Sequence, residues 1–260
     1  MDRVIAVRTD LRMVDESADW LVVDKPAPLI VHPTSAKVEP SLLGELNALL
    51  ERRGEETGTL SIINRLDRET SGLVLVARTP VAARHFGKAM QRREIGKRYR
   101  ALVWGWPEWD EHVVDGPILR RGEVEEGPVW VKQVVHPDGR PCTTRLAVAR
   151  RFENAEGRFS EISVVPETGR MHQIRVHLSY AGHPIVGDKL YGPDERCYLE
   201  FIETGWSEGL RRQLLLERQA LHSEFLEVPW EDGVRSWQSP LPAELAGFAQ
   251  VRDCTRAEES

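Results

Sequence analysis

The sequence predicts an α+β fold, in which many short strands combine with a few helices. Short segments rich in β-branched and aromatic residues recur along the chain, and turn residues such as Asp138-Gly139 separate them. Other segments repeat apolar residues at helical spacing. No internal repeat or low-complexity linker divides the 260 residues. We therefore expect a single domain over residues 18–252, an N-terminal extension over residues 1–17 and a polar tail over residues 253–260.

Before residue 100, strands and amphipathic helices are expected to alternate. The apolar run at residues 20–24 favours a short strand. Residues 42–51 repeat leucines at helical spacing and predict an amphipathic helix. Residues 73–77 form an uninterrupted apolar run, which is typical of a buried strand. Thr79-Pro80 then supplies an N-cap and a first-turn proline, so a helix is expected over residues 80–93.

The later part of the chain is expected to contain more strands than helices. Frequent β-branched and aromatic residues predict strands at residues 99–103, 129–135, 143–149, 159–165 and 221–228. Apolar residues at helical spacing predict helices at residues 170–181, 209–218 and 240–251. Residues 105–128 and 190–208 match neither pattern and are expected to be loops or insertions.

The composition is that of an ordinary soluble protein, with 41% hydrophobic and 29% charged residues. No apolar run approaches the roughly 18 residues of a membrane span, and the first residues lack the apolar core of a signal peptide. Cys142, Cys197 and Cys254 are far apart and form no Cys-x-x-Cys pair, so neither a zinc site nor a disulfide framework is indicated. A reducing cytosol is the simplest location, and we expect a cytoplasmic protein without a membrane partner.

The net charge of −6 argues mildly against a nucleic-acid partner, because RNA-binding proteins are often basic. The charge is unevenly distributed, however, since residues 84–100 contain seven lysines and arginines against one glutamate. On the predicted helix, Arg84, Lys88 and Arg92 recur at steps of four residues and form a basic stripe. Such a stripe is either a solvated helix face or a surface that follows RNA phosphates, and its closeness in sequence to Asp67 favours RNA.

The segment Asn64-Arg-Leu-Asp-Arg-Glu-Thr-Ser-Gly-Leu73 places one carboxylate, Asp67, between Arg65 and Arg68. Nearby positive charge favours the ionised form of the carboxylate. Turn residues after it lead into the predicted strand at residues 73–77. An ionised aspartate at the edge of a strand, beside side chains that bind phosphate, suggests a nucleophile that meets a nucleic acid. A salt-bridged aspartate in an ordinary loop is the alternative.

This segment resembles the signature of the RluA-type RNA pseudouridine synthases, which reads His-Arg-Leu-Asp followed by Thr-Ser-Gly. Further blocks match that family in the same order: Asp24-Lys-Pro-Ala-Pro-Leu-Ile-Val-His-Pro33, Lys97-Arg-Tyr-Arg-Ala101, and Thr168-Gly-Arg-Met-His-Gln-Ile-Arg-Val-His177, which runs on to Gly182-His-Pro-Ile-Val-Gly-Asp188. The resemblance spans about residues 18–228. It implies the pseudouridine synthase fold, with a central, mainly antiparallel mixed sheet, flanking helices and a catalytic cleft.

The resemblance also implies roles for individual residues. Asp67 matches the catalytic aspartate, and Tyr99 matches a tyrosine on which the target base stacks and whose hydroxyl assists proton removal. Arg175 matches the basic residue that pairs with the aspartate as a bidentate clamp. Arg65 matches an arginine that contacts RNA and occupies the space of a flipped-out nucleotide. Without the resemblance, Tyr99 is equally a core tyrosine and Arg175 a surface arginine on a helix.

Arg170, His172 and Gln173 lie in one block and are expected to support the site and to contact RNA phosphates. His172, His177 and His183 raise the alternative of a metal site. Their spacing lacks the His-x-x-x-His step of zinc peptidases, and no glutamate lies between them. The sequence therefore predicts no metal and no cofactor.

The chain departs from the family pattern at Asn64, where relatives usually have histidine. Asparagine offers an amide donor and acceptor but no titratable group, so a proton-transfer role at this position is in doubt. Ala27 stands where relatives often have glycine, which implies a turn that does not require a positive φ.

The leading hypothesis is a monomeric RNA pseudouridine synthase, an isomerase that acts on specific uridines in structured ribosomal or transfer RNA. A non-catalytic RNA-binding or ribosome-assembly protein is one alternative, and a nucleosidase-like hydrolase is another. The presence of Asp67, Tyr99 and Arg175 speaks against a protein that only binds RNA. The basic stripe speaks against a hydrolase of free nucleosides, because it favours a polymeric substrate.

Overall fold

The computed structural model describes residues 9–33, 40–55, 58–231 and 233–250. Cys254 and the predicted polar tail lie outside these ranges. The chain forms two compact units, one from residues up to Tyr99 together with Leu221–Pro240, the other from Arg100–Ala220 together with residues after 240. Both units contain strands and helices, which confirms the predicted α+β class. The single domain over residues 18–252 stays a prediction.

Most of the regular structure lies where the sequence predicts it. The strands of the described residues are β1 (Arg12–Glu16), β2 (Trp20–Lys25), β3 (Ser61–Ile62), β4 (Ser71–Ala77), β5 (Gly96–Trp104), β6 (Glu111–Asp115), β7 (Ile118–Arg120), β8 (Gln133–Val135), β9 (Thr143–Asn154), β10 (Gly157–Pro166), β11 (Leu221–Trp230) and β12 (Gly233–Gln238). The helices among them are α1 (Leu42–Arg52), α2 (Pro80–Gln91), α3 (Gln173–Tyr180), α4 (Arg196–Thr204), α5 (Glu208–Leu214) and α6 (Ala243–Phe248). None of these helices is long and apolar enough to cross a membrane.

The expectation of loops at residues 105–128 and 190–208 was wrong. The first segment contains β6 and β7, and the second contains α4. Only Val114 is buried in β6, so this strand has no apolar run, and its pairing with β9 is what makes it a strand. The strand expected over residues 129–135 is also shorter than predicted, because only its last residues pair with β7, as β8.

In the first unit, the strand order is β1-β2-β4-β11, with β3 beside β4 and β12 beside β11. β1 lies within the predicted N-terminal extension and pairs with β2. The β4–β11 pairing is parallel, whereas the other strand pairs of this unit with a given register are antiparallel, as expected for a mainly antiparallel sheet. The core lies between this sheet and α2, where Trp20 and Phe86 each place a ring centroid 5.0 Å from that of Trp230.

In the second unit, β9 and β10 form the longest strand pair, and β6 extends it along the other edge of β9. β7 and β8 form a separate small antiparallel pair. A core of Ile118, Val129, Cys142, Val176, Leu190 and Tyr191 joins β7 to α3. The start of α3 and the residues just before it are therefore attached to a packed core, and they include the predicted site residues Arg170, His172, Gln173 and Arg175.

Candidate active site

Asp67 lies in the loop between β3 and β4, where it is partly buried. The loop is attached to β4 by the buried side chain of Asn64. The Asn64 Oδ1 accepts a hydrogen bond of 2.8 Å from the Leu75 amide, and its Nδ2 donates one of 3.0 Å to the Leu73 carbonyl. Both functions of the amide are thus used on the backbone. Asn64 therefore acts as a structural bridge, a role that needs no titratable group.

Lys25 holds the other side of this loop. Its side chain is fully buried, and Nζ donates to the backbone carbonyls of Leu29, Pro26 and Arg68 over 2.8, 3.1 and 3.2 Å. The Arg68 carbonyl also accepts a hydrogen bond of 2.9 Å from the Leu29 amide. A buried ammonium is costly unless it is hydrogen-bonded, so these carbonyls both stabilise Lys25 and fix the residue next to Asp67. In the sequence, Lys25 stands out only as part of a block that matches the family, and nothing in that block predicts its hydrogen bonds to these carbonyls.

Gly72 lets β4 and β11 approach each other closely just after the Asp67 loop. It has a φ of +113°, and a Cβ at this position would lie 2.3 Å from the Ser223 carbonyl oxygen. Any other residue would be both strained and in steric conflict with the backbone. The glycine of the Thr70-Ser71-Gly72 turn is therefore required by packing against β11 as well as by the turn.

Tyr99 lies in β5 and belongs to the same unit as Asp67. Burial, together with a smaller contribution from the nearby Asp67 carboxylate, raises the pKa of Tyr99 to about 12. The Ser223 hydroxyl acts in the opposite sense and lowers the pKa, although the Ser223 Oγ has no well-aligned hydrogen-bond partner among the described residues. The structure thus brings Asp67 and Tyr99 within electrostatic reach of each other and keeps the phenol neutral at ordinary pH.

The raised pKa of Tyr99 predicts a loss of stability at alkaline pH. Its contribution is fully present below the unfolded value of about 10 and is lost as the pH rises through the folded value of about 12. A tenfold difference in proton affinity between the folded and unfolded states corresponds to about 1.4 kcal/mol. We expect Tyr99→Phe to reduce the loss of unfolding free energy between pH 9 and pH 11 by about 1 kcal/mol in urea titrations. Tyr180→Phe, at an exposed tyrosine, is the matched control, and equal alkaline losses in both variants would contradict the raised pKa of Tyr99.

The basic stripe is exposed, as predicted. The Thr79 hydroxyl caps α2 by accepting a hydrogen bond of 3.1 Å from the Ala82 amide, and Pro80 occupies its first turn. The helix buries Ala82, Phe86 and Ala89 and presents its other face to solvent. The stripe residues Arg84, Lys88 and Arg92 are all exposed. The first two lie on α2 and the third is its C-cap.

Three other basic residues of this run, all in β5, are used differently. Burial lowers the pKa of Lys97. Arg98 donates a hydrogen bond of 2.7 Å from Nε to Glu224 and lies over the ring of Phe225. Arg100 pairs with Glu161 over 3.1 Å. The continuous, exposed part of the positive charge thus lies on α2, on its cap and on Arg93, which follows the cap.

In the second unit, Arg175 forms a bidentate clamp on Asp188. Its Nε and Nη2 donate to the two carboxylate oxygens over 2.7 and 2.9 Å, and Asp188 is fully buried. Burial alone raises the pKa of Asp188, but the Arg175 charge and hydrogen bonds from Arg175, Tyr191 and Leu190 outweigh it, so the net pKa is lowered. The sequence analysis missed Asp188 as a partner, although it ends one of the matching blocks. The predicted pairing of Arg175 with Asp67 stays a prediction.

Gln173 and His172 make protein contacts that support a scaffolding role. Gln173 is buried, its Oε1 accepts from the Thr168 hydroxyl and the Arg170 amide, and its Nε2 donates to Thr143 O and Thr144 Oγ1. These hydrogen bonds occupy both Oε1 and Nε2 of the Gln173 side chain, so the geometry does not favour the predicted contact of Gln173 with RNA.

His172 and Arg170 flank this buried glutamine. The His172 Nδ1 lies 2.8 Å from the Tyr191 hydroxyl, and His172 has a left-handed φ of 56° at the start of α3. Arg170 is exposed, and the Nε and Nη2 of its guanidinium each lie 3.4 Å from the Pro141 carbonyl. Arg170 therefore has the accessibility that a phosphate contact requires.

The three histidines considered for a metal site are engaged separately. His172 contacts Tyr191, and His183 Nδ1 lies 2.9 Å from the Trp104 carbonyl. His177 is buried, with its ring nitrogens 2.8 Å from Thr144 Oγ1 and from the Gly116 carbonyl. Among the described residues, no group of three or more His, Cys, Asp or Glu side chains could hold a metal ion.

Comparison with known proteins places this chain in a family. A family model described as RNA pseudouridylate synthase matches residues 19–180, a range that includes both Asp67 and Tyr99. The chain belongs to this family. The resemblance drawn from the sequence blocks and the predicted enzyme class, a pseudouridine synthase, are therefore confirmed.

Relatives within the family cover most of this chain. The "Ribosomal large subunit pseudouridine synthase D" of Pasteurella multocida is 31% identical over 256 residues, which cover 95% of this chain and 72% of the relative. The protein of the same name from Escherichia coli O6:H1 is 32% identical over 249 residues, with coverages of 93% and 70%. An uncharacterised RNA pseudouridine synthase of Chloroflexus aurantiacus is 38% identical over 229 residues, with coverages of 85% and 63%. The chain thus spans about two thirds of the length of such relatives.

Solved structures of the family share the fold. The structure of human RNA Pseudouridylate Synthase Domain Containing 4 aligns with a TM-score of 0.70 and 22% identity and covers 90% of both chains. That of human RNA Pseudouridylate Synthase Domain Containing 1 aligns with a TM-score of 0.68 and 24% identity and covers 89% of this chain and 84% of the human one. At this level of identity the likeness concerns the fold, and it confirms the predicted pseudouridine synthase fold.

Proposed function

We propose that this protein isomerises specific uridines of large-subunit ribosomal RNA to pseudouridine, with Asp67 as the nucleophile. The observation that carries the assignment is the position of Asp67 within electrostatic reach of the buried Tyr99, in a loop that Asn64 and Lys25 fix to its surroundings. The choice of ribosomal RNA is supported by relatives named for the large ribosomal subunit. Transfer RNA, the other substrate class that the sequence suggested, has no comparable support here.

The chemistry needs a nucleophile near the sugar and a pocket that retains the base. The bond from C1′ to N1 breaks, the uracil turns, a bond from C1′ to C5 forms, and the hydrogen on C5 leaves as a proton while N1 gains one. Attack of the Asp67 carboxylate on C1′ would hold the sugar while the base turns. The reaction is an isomerisation without net oxidation, so it balances without a redox cofactor or a nucleotide.

We assign supporting roles to Tyr99 and Arg175. Tyr99 is buried and, with a pKa of about 12, stays protonated at ordinary pH, so it offers a neutral ring for the target base and a hydroxyl for proton transfer. Arg175 is held by Asp188 in a single orientation, which suits a residue that must present a fixed charge. The pairing of Arg175 with Asp67 belongs to this proposal.

RNA contacts are assigned to exposed basic residues, namely Arg65, Arg84, Lys88, Arg92 and Arg170. Their accessibility supports this role, because phosphate contacts require side chains that reach solvent. Arg65 is adjacent to the Asp67 loop and is the residue assigned to the space of the flipped-out nucleotide. His172 and Gln173, which the sequence placed in the same group, are better supported as scaffold because both bind protein groups.

The substrate is tested by mapping pseudouridine in total RNA from cells with and without the gene, by carbodiimide treatment and primer extension. We expect a stop in large-subunit ribosomal RNA to disappear without the gene. It should return with the wild-type gene and not with Asp67→Asn. If the missing stop lay in transfer RNA instead, transfer RNA would replace large-subunit ribosomal RNA as the proposed substrate. An unchanged pattern in all RNA classes would contradict the enzymatic function.

The basic stripe predicts a change in the salt dependence of RNA binding. Replacing Arg84, Lys88 and Arg92 together by glutamine should weaken binding and lower the slope of log K against log salt by about 0.9 for each lost phosphate contact. Filter binding to a large-subunit ribosomal RNA transcript between 50 and 200 mM salt, roughly the range over which such slopes are resolved, measures this.

The control for the stripe is a variant with the same loss of net charge elsewhere. Arg52, Arg212 and Arg235 are exposed arginines on other elements, and replacing them together by glutamine should leave the slope nearly unchanged. Equal slopes in both triple variants would show that α2 does not follow the phosphate backbone.

We also place this protein in the cytoplasm as a monomer. The location is that of ribosomal RNA in bacteria such as those that encode the relatives, and the described residues contain no helix suited to a membrane. Light scattering coupled to size exclusion measures the mass in solution. A dimer would replace the monomer in this description without affecting the assignment of Asp67.

A further inference from the structure

His222 is a buried histidine at the start of β11 that none of the roles above uses. It is completely inaccessible to solvent. Its Nδ1 lies 2.9 Å from the Ser71 Oγ, and its Nε2 lies 3.2 Å from the Ser239 carbonyl oxygen. A carbonyl oxygen only accepts hydrogen bonds, so Nε2 carries the proton. In the neutral imidazole, Nδ1 then carries no proton and is the acceptor, and the Ser71 hydroxyl donates to it.

Ser71 connects this histidine to the Asp67 loop. It is the first residue of β4 and follows Thr70, whose amide donates a hydrogen bond of 3.1 Å to the Asp67 carbonyl. The parallel pairing of β4 with β11 is confined to His222 with Ser71 and Ser223 with the next residue. Because this ladder is so short, the side-chain bond is a substantial part of what joins the loop to β11.

β11, the strand that carries His222, also lies close to Tyr99. Ser223 follows His222 in β11, and its hydroxyl is close enough to Tyr99 to lower the pKa of the phenol. The same strand therefore contacts the Asp67 loop through one residue and Tyr99 through the next. A change in the position of β11 against β4 would alter the distance between the carboxylate and the phenol.

The far side of the imidazole is also fixed. The Ser239 amide donates to the Glu224 carbonyl over 2.8 Å, and the Ser239 hydroxyl donates to Asp24 Oδ2 over 2.6 Å. Arg12 Nη2 lies 2.9 Å from the same Asp24 oxygen. The carbonyl that receives the Nε2 proton thus belongs to a residue held by other contacts. His222 consequently has a defined orientation as well as a defined tautomer.

We propose that His222 is a positioning residue for the isomerisation, acting through Ser71 on the placement of Asp67 relative to Tyr99. It does not touch the substrate, because it is shielded from solvent on all sides. The contacts of the two ring nitrogens correspond to two functions: Nδ1 orders the Asp67 loop, and Nε2 anchors the ring. This inference rests on the proposed function, since it concerns the rate of that reaction.

Two replacements distinguish the functions of the ring nitrogens. In His222→Asn, the amide oxygen occupies the position of Nδ1 and keeps the acceptor for Ser71. In His222→Gln, the amide nitrogen occupies the position of Nε2 and keeps the donor to Ser239 but loses the acceptor. Ser71→Ala removes the same hydrogen bond from its other end. The Gln and Ala variants should therefore share a defect from which the Asn variant is largely spared.

The readout is the single-turnover release of tritium from a large-subunit ribosomal RNA transcript labelled at C5 of uridine. We expect the rate constant to fall about 10- to 100-fold in His222→Gln and Ser71→Ala, a size that matches a displacement of about 1 Å in a reacting group. In His222→Asn it should stay within about threefold of the wild type, and the RNA dissociation constant should stay within about twofold in all three. The double variant His222→Gln/Ser71→Ala should be no slower than either single variant, because both remove one bond.

Thermal unfolding of each variant separates positioning from stability. Unchanged rates in folded His222→Gln and Ser71→Ala would overturn the inference, as would equal losses in the Asn and Gln variants. If His222→Gln fails to fold, Ser71→Ala carries the comparison with His222→Asn, because it removes only one hydroxyl. A wild-type protein that releases no tritium would contradict the proposed function itself, whereas an active wild type with active variants contradicts only the role of His222.

Discussion

Replacing Asp67 with asparagine is expected to abolish pseudouridine formation while leaving RNA binding within about twofold of the wild type. Asparagine keeps the shape of the side chain but lacks the anionic oxygen that attacks C1′. Loss of a nucleophile of this kind costs at least about 10³-fold in rate. Tritium release from C5-labelled ribosomal RNA measures the rate, and filter binding measures the affinity.

Glu69→Gln is the matched control for this substitution. It removes the same charge from the same loop, only two positions further along. The Glu69 carboxylate has no assigned part in the reaction, so the rate constant of the Glu69→Gln variant should stay within a few-fold of the wild-type value. An Asp67→Asn variant with more than a tenth of the wild-type rate, or a Glu69→Gln variant as inactive as Asp67→Asn, would contradict the assignment of the nucleophile.

Replacing Asp188 with alanine is expected to lower the free energy of unfolding by about 3 to 5 kcal/mol. The substitution leaves the Arg175 guanidinium without its bidentate partner in a place where Arg175 is only 8% exposed. It also removes the acceptor for the backbone amides of Leu190 and Tyr191. The loss of this buried, charge-assisted pair and of the acceptor for the two amides accounts for most of the cost. Urea unfolding at pH 7 measures it.

The pH dependence gives this prediction a second readout. Because the pKa of Asp188 is lowered in the folded state, its contribution is present above the unfolded value and is lost as the pH falls through the folded value. Asp188→Ala should therefore lose less stability on acidification than the wild type does. Asp194→Ala, at an exposed ion pair with Arg196, is the control and should change the urea midpoint little. Equal effects of both substitutions would contradict the assigned role of the buried clamp.

Local sequence signals predicted the elements that bury their own apolar residues. Residues 73–77 are apolar throughout, and they form β4, which is buried along its length. Thr79-Pro80 predicted the start of α2, and the structure shows the expected cap. β6 was missed because only one of its residues is buried, so its pattern carries no periodic signal. β6 forms a strand because it pairs with β9, which lies further along the chain. A prediction from a short stretch of sequence does not include that partner.

The candidate site was likewise predictable from the sequence only in part. The identity of Asp67, Tyr99 and Arg175 as site residues could be inferred from the sequence, because the order of their blocks resembles a family pattern. The partners of these residues could not. Arg175 is held by Asp188, which lies in a matching block that does not itself show the pairing. Tyr99 has Ser223 close to it, and Ser223 lies in a distant part of the chain outside the matching blocks.

By itself, the sequence determined the family, the reaction class and the exposed basic stripe, since each depends on residue types in short segments. Only the tertiary structure decided that Asn64 is a backbone bridge, that Lys25 is a buried anchor and that His222 joins two strands. The physical reason is that buried polar groups must find hydrogen-bond partners, and the fold supplies those partners from residues far apart along the chain. The sequence specifies the chemistry of each side chain, whereas the fold determines which group that side chain contacts.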